Sequence, residues 1–426
     1  ISHSFDGTST QQAGYWLAVF GNENLKWEEI NQVDLGLDLN FLENRLTVTY
    51  DYYNRQTKDM LYRGDLPLSA GMSYYFSSDD PANTVPVYFN AGLVENQGHE
   101  ITIGWNDKKG DFHYTVTTNL SFNSNLVKQI GDEPGANPID EGLDNTWNLI
   151  ARTQDGHPMS MFYGYKVLGI FQNQSQVDDY NQRALDAWRA QNPNHTSFDP
   201  VTGQPLNLDG QPIGIYYQKQ QTGIGDLIFD DNGQGRVTPL SRQFIGNPWP
   251  KMFFGLNLNM DYKGFDLNAV FQGAFGFDIM NLVKPYTQMF SSDNTTADIF
   301  ETSLFGVGNT TVTEFPRVGY IDDKGSFIGD GAANKNYSTV SGYMVEKGDY
   351  LKLKNLSFGY TLPKSISRKA AIENVRIYTS IQNVFTITRY SGNDPEIGGG
   401  VLMRGVDHQN RYLPSRLVSF GLDLTF

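Results

Sequence analysis

Six histidines, His3, His99, His113, His157, His195 and His408, are the side chains best suited to hold a metal or move a proton near neutral pH. None stands at a metal-ligand spacing from another. His99-Glu100 lacks the second histidine of a zinc-protease helix and sits in a strand-like alternation. His113 falls on a face expected to be polar and solvated. Cysteine is absent, which removes a disulfide framework and cysteine-ligated zinc. No Gly-x-Ser-x-Gly elbow and no phosphate-cradling glycine loop occurs. Aspartate and glutamate number 47, so chance alone supplies carboxylate pairs of the glycosidase kind. The expectation is a protein that is not an enzyme and has no cofactor.

Two other groups of residues point to binding. Asp230-Asp231-Asn232-Gly233-Gln234-Gly235-Arg236-Val237 resembles a calcium loop, with Asp230 and Asn232 as its candidate ligands. Gln234 replaces a carboxylate, however, and Ser241 stands where an EF-hand places its bidentate glutamate, so a structural turn is the better reading. Tyr74, Tyr75, Phe76, Trp147, Tyr216 and Tyr217 lie between strand-like runs and could stack on sugar rings or peptide side chains. Packing within the loops explains such a cluster about as well.

The elements that would position these groups are strands. Val418, Phe420, Leu422, Leu424 and Phe426 alternate with Ser419, Gly421, Asp423 and Thr425 in the last stretch, Ser415 to Phe426, where only Leu417 breaks the pattern. A side-chain period of two marks a strand with one apolar and one polar face. A terminal Phe426 is also how outer-membrane barrels end. Similar runs are predicted at 33–42, 45–56, 97–106, 111–123, 250–262, 265–277, 349–362 and 374–386. Each is about 10–13 residues, enough to cross a bilayer at a tilt near 45°. Soluble strands are nearer five or six residues. No run of 18 apolar residues exists, which excludes a transmembrane helix but not a barrel. A net charge of −15 leaves no basic stripe for nucleic acid.

Connections alternate strictly between short (43–44, 107–110, 263–264, 363–373) and long (57–96, 124–249, 278–348, 387–414). Short periplasmic turns and long extracellular loops are the rule in outer-membrane barrels. Ser160–Phe171 is read as loop structure, because counting it as a wall strand would break this parity. Gln176 to Gln191 is the one predicted helix, with Val177, Tyr180, Ala184, Ala187 and Trp188 along one face. It either packs on its own loop or docks a partner. Nine wall strands is an odd number, whereas single-chain barrels have an even one. The expectation is that residues 1–426 form the C-terminal part of a larger antiparallel barrel, with the first strand running inward from outside the cell and Phe426 periplasmic.

Several segments carry a resemblance. Gly21-Asn-Glu-Asn-Leu-Lys-Trp-Glu28, Phe41 to Leu61, Gly164-Tyr165-Lys166 with Gly169-Ile170-Phe171, and Gly246-Asn247-Pro248-Trp249-Pro250 are similar to the SusC/RagA family of TonB-dependent outer-membrane transporters. So are Gly348-Asp349-Tyr350-Leu351-Lys352-Leu353-Lys354-Asn355, Gln382-Asn383-Val384-Phe385, Tyr390-Ser391-Gly392 and Asp394-Pro395-Glu396. The resemblance implies a 22-stranded barrel around an N-terminal plug. It also implies a SusD-like lipoprotein as cap, energy from TonB–ExbB–ExbD, and oligosaccharides or oligopeptides as cargo. The plug and early strands have no counterpart in these residues. A passive porin and a soluble β-rich adhesin or glycan-binding module are the alternative readings.

Overall fold

A computed structural model describes residues 22–64, 87–90, 92–131, 138–143, 149–288, 312, 314–322, 324–329, 335–408 and 411–426. Nine strands form one wall: β1 (Glu29–Phe41), β2 (Leu46–Lys58), β3 (Leu93–Lys109), β4 (Phe112–Gln129), β5 (Met252–Tyr262), β6 (Phe265–Phe275), β7 (Tyr350–Thr361), β8 (Asn374–Thr388) and β9 (Leu417–Thr425). Their spatial order is their chain order, and every neighbour is antiparallel. Eleven residues, the length of β5, rise about 26 Å along the membrane normal at a 45° tilt, which matches the apolar band of such barrels.

Register turns the alternation into two faces. Leu39, Val48, Ile103, Thr118, Leu256, Phe271, Leu353 and Phe385 are successive cross-strand partners and make one nearly unbroken apolar row. On the opposite face, Asn106, Thr115, Asn259, Asn268, Ser357, Ser380 and Ser419 form an entirely polar row. Polar side chains there join strand to strand. Asn268 Nδ2 donates to Asn257 Oδ1 (3.0 Å) and Asn259 Oδ1 (2.6 Å), Asn355 Nδ2 donates to Asn268 Oδ1, and Ser380 Oγ to Asn355 Oδ1. Near the short-turn end the apolar face carries rings in contact: Phe112 with Tyr114 and Tyr262, and Phe265 with Phe358 and Tyr360. Such a belt suits a membrane–water interface, where one end of the ring is apolar and the other wet.

The β5–β6 hairpin turns on Lys263-Gly264, both at positive φ (48° and 88°), the mirror-image turn that matches strand twist. The predicted turn at 107–110 is shorter than expected. Asp107 and Lys108 still pair with Tyr114 and His113, and only Gly110-Asp111 turns. At the far ends β3 and β4 outrun their predicted limits, to Leu93 and Gln129. β1 and β9 are the two edges of the wall, each bonded to one neighbour among the described residues.

Beyond the wall, the loops build their own cores. Ile139–Leu143, Leu149–Thr153, Met161–Gly164 and Gln243–Gly246 make a four-stranded sheet, and Val167–Ile170 pairs with Leu227–Phe229. Ser160–Phe171 therefore lies outside the wall, as parity required. Helix α1 (Gln174–Gln191) starts at Asn173, whose Oδ1 accepts the Gln176 N–H. Its Val177, Ala184 and Leu185 are buried against Phe171, Ile215, Tyr217 and Ile228, with Tyr180 and Trp188 packed alongside. The apolar face of α1 is thus spent inside its own loop. Asp278–Asn281 pairs with both Val345–Lys347 and Val406–Asp407, tying two long loops together.

Candidate functional site

The polar face leads to a cavity where the wall meets the loops. Its volume is about 600 Å³, and Tyr53, Arg55, Asn96 and Asn125 on β2–β4 line it together with Met159, Trp249, Phe253 and Arg404. A smaller cavity of about 190 Å³, lined by Gln272, Tyr350 and Glu396 among others, shares Pro250, Phe253 and Arg404 with the first. Arg404 therefore stands at the partition between them.

Three sets of bonds hold this region. The Trp249 indole N–H donates to Met159 O (2.7 Å), while Met159 N–H donates to Asn125 Oδ1 (2.7 Å), so the loop is hung from the wall through β4. Asn247 fixes the approach to Trp249: its Oδ1 accepts the Trp249 N–H, and its own N–H donates to Asp278 Oδ2. Across the cavity, Lys352 Nζ bonds Asp394 (2.5 Å) and Glu396 (2.9 Å), and Lys354 Nζ also reaches Glu396 (2.9 Å). This clasp fastens loop 389–416 to β7. A bulge makes it possible, because Leu353 and Asn355 pair with the adjacent Phe271 and Val270 of β6, which leaves Lys354 as the extra residue on that side. Opposite Lys354, Asn383 takes the left-handed conformation (φ 53°) that asparagine tolerates.

Burial opposes ionisation of Glu396, but the two lysines hold its carboxyl below the ordinary range. Tyr390, whose O–H donates to Asp407 Oδ2 (2.6 Å), is pushed well above a normal phenol by burial and then by that carboxylate. Arg404 is the exception in this network. Its guanidinium lies 4.8 Å from the Trp249 ring centre, its Nε is buried without a hydrogen-bond partner, and no carboxylate pairs with it among the described residues. Burial pulls its basicity down, and Tyr350 opposes this weakly.

The aromatic candidates divide into described and undescribed residues. Tyr74, Tyr75, Phe76 and Trp147 lie outside the described residues. Tyr216 is partly exposed and away from the cavity. Tyr217 packs within its loop: it is 2% exposed, its O–H donates to Phe229 O, and its ring abuts Tyr180. Burial pushes its phenol upward. In the calcium-like loop, Asp230 accepts the Asn232 N–H and pairs with Lys166 at 3.5 Å, while Asp231 accepts the Gly233 N–H. Asp230 and Asn232 thus serve the turn itself. Phe426 follows β9 and is exposed. Sequence reading missed Arg55, Arg404 and the lysine clasp, although Trp249, Lys352, Asp394 and Glu396 all fall in quoted motifs.

A wall with an apolar outer face, a polar inner face, short turns at one end and folded loops over the other defines a transmembrane β-barrel wall. Residues 1–149 match the family described as TonB dependent receptor-like, beta-barrel. TonB-dependent receptor P3 of Formosa agariphila is 31% identical over 91% of this chain and 32% of its own length. TonB-dependent receptor SusC of Bacteroides thetaiotaomicron is 23% identical over 95% of this chain and 32% of its own. The RagAB peptide importer in its closed-closed state superposes with a TM-score of 0.64 at 20% identity, over the whole chain and 38% of that structure. The chain belongs to the TonB-dependent receptors, in the part of them that forms the barrel, and hence to a family of outer-membrane proteins that are not enzymes. It spans about a third of the length of these relatives.

Proposed function

We propose that these residues are the C-terminal part of the barrel of an outer-membrane active transporter. The transporter imports oligosaccharides or oligopeptides, draws energy through TonB–ExbB–ExbD, and works with a SusD-like surface lipoprotein. The observation that carries this reading is the wall itself, a polar asparagine-lined inner face roofed at one end by clasped loops. The edges of β1 and β9, unpaired among the described residues, support a larger barrel closed by further strands, since an unpaired edge in lipid costs several kcal/mol per unsatisfied group. With short turns periplasmic, β9 runs inward and Phe426 faces the periplasm.

The test is uptake in cells carrying the full-length protein, with and without TonB. Import that stops when TonB is deleted supports the reading. Import that continues at the same rate by diffusion overturns it in favour of a porin. Deletion of a neighbouring gene for the lipoprotein should cut uptake at low substrate concentration.

A further inference from the structure

We propose that Arg404 is a recognition residue for a carboxylate group of the ligand; this rests on the transporter reading above. Among the described residues, the 600 Å³ cavity is lined by two guanidinia, those of Arg55 and Arg404, and by a single carboxylate, that of Glu28. Neither arginine has an ion-pair partner among the described residues, whereas Lys352 and Lys354 nearby are both saturated by Asp394 and Glu396. The site is therefore locally cationic within a chain of net charge −15.

Arg404 is also pre-positioned. Its backbone N–H donates to Ser160 Oγ, and its guanidinium rests against Trp249, which is itself pinned to Met159 O. One face of the fork is thus occupied by the indole and the Nε edge is left without an acceptor. A buried donor with no partner is costly, and a planar guanidinium matches a carboxylate in two parallel hydrogen bonds. A ligand carboxylate supplies the missing acceptors and the opposite charge together. The aromatic lining of Trp249, Phe253 and Tyr53 gives the rest of the ligand an apolar surface.

Two sources offer this chemistry, the free terminus of a peptide and a uronic acid of a glycan. Calorimetric titration of the purified full-length protein separates them with matched probes. Tetra-alanine is compared with its C-terminal amide, and trigalacturonate with maltotriose. One acid is expected to bind at least about tenfold more tightly than its neutral counterpart, and Arg404→Gln is expected to reduce that ratio to about one. Arg404→Lys, which keeps charge but loses the fork, should recover only part of it. Equal binding of acid and neutral probes in both pairs, or no binding at all, overturns the proposal and leaves Arg404 to a carboxylate of the protein itself. Retention of the preference in Arg404→Gln does the same. Because these titrations need no energised membrane, they fail independently of the TonB test.

Discussion

Removing the charge of Lys352 should release loop 389–416 from the barrel wall. The Lys352 side chain is 4% exposed and bonds Asp394, itself 12% exposed, and Glu396. In Lys352→Met, Asp394 loses its cation while Glu396 keeps Lys354. Breaking a buried pair by deleting one partner costs roughly 3–5 kcal/mol, because the remaining charge stays desolvated. If that cost falls on local opening of the loop, the open population rises more than about a hundredfold. Lys354→Met is the matched control, since Lys354 and Glu396 are each about a third exposed. Solvent screening limits that pair to about 0.2–1 kcal/mol, or less than about sixfold. Hydrogen–deuterium exchange of the full-length protein in detergent reads both at the amides of Glu396 and Ile397, which are bonded to Asp394 Oδ1 and Pro395 O. The double variant Lys352→Met/Asp394→Asn should lose less protection than the single, because no bare carboxylate is left behind. Unchanged exchange in Lys352→Met, or an equal effect of Lys354→Met, would refute the assignment of the clasp as the loop's main fastening.

Two further outcomes test other parts of the structure. Leu256→Arg places a charge in the middle of the apolar face and should cost about 2–4 kcal/mol of stability in lipid vesicles, whereas Asn257→Arg, one residue on and lumen-facing, should cost far less; urea titration of vesicle-inserted protein measures both, and equal losses would reverse the assignment of faces. Acidification should open the clasp. The folded carboxyl of Glu396 is lower than the unfolded one, so its stabilisation is complete above the unfolded value near about 4.3 and is lost as pH falls through the depressed value. Protease cleavage within 389–408 should therefore rise only below about pH 4, and an onset near neutrality would contradict the clasp's charge state.

All nine wall strands were legible because lipid imposes one rule on every one of them. An outward side chain must be apolar, so period two persists for the whole crossing. Where β3 and β4 leave the membrane, the rule lapses. Asn96, Ser124 and Asn125 continue the ladder past the predicted limits, but nothing distinguishes their composition from loop. The bulge at Lys354 was hidden for a related reason: Leu351, Leu353, Leu356 and Phe358 keep facing outward only because the register slips by one residue. A strict alternation count reads that slip as noise. Of the small sheets of the loops only the stretch Ser160–Phe171 left a signal, since their strands run only three to five residues and their partners lie far away in sequence. Helix α1 was visible because its repeat is local, and Leu185 was missed because it lies at the margin of the apolar stripe.

The motifs that betrayed the family turn out to be fastenings. Asn247 and Trp249 tie one loop to Asp278 and Met159, and Lys352 ties another to Asp394 and Glu396. Such pairs demand particular residues on both sides, because a buried donor or charge left alone is penalised. Ligand recognition carries no such internal demand. The partner of Arg404 need not be in the chain. The same logic separates Tyr217 from Arg404. Tyr217 has its acceptor at Phe229 O and its ring neighbour at Tyr180, and a satisfied residue of that kind explains itself. Arg404 sits among satisfied neighbours with its own Nε unsatisfied, which makes the exception in the network the place to look for what the barrel selects.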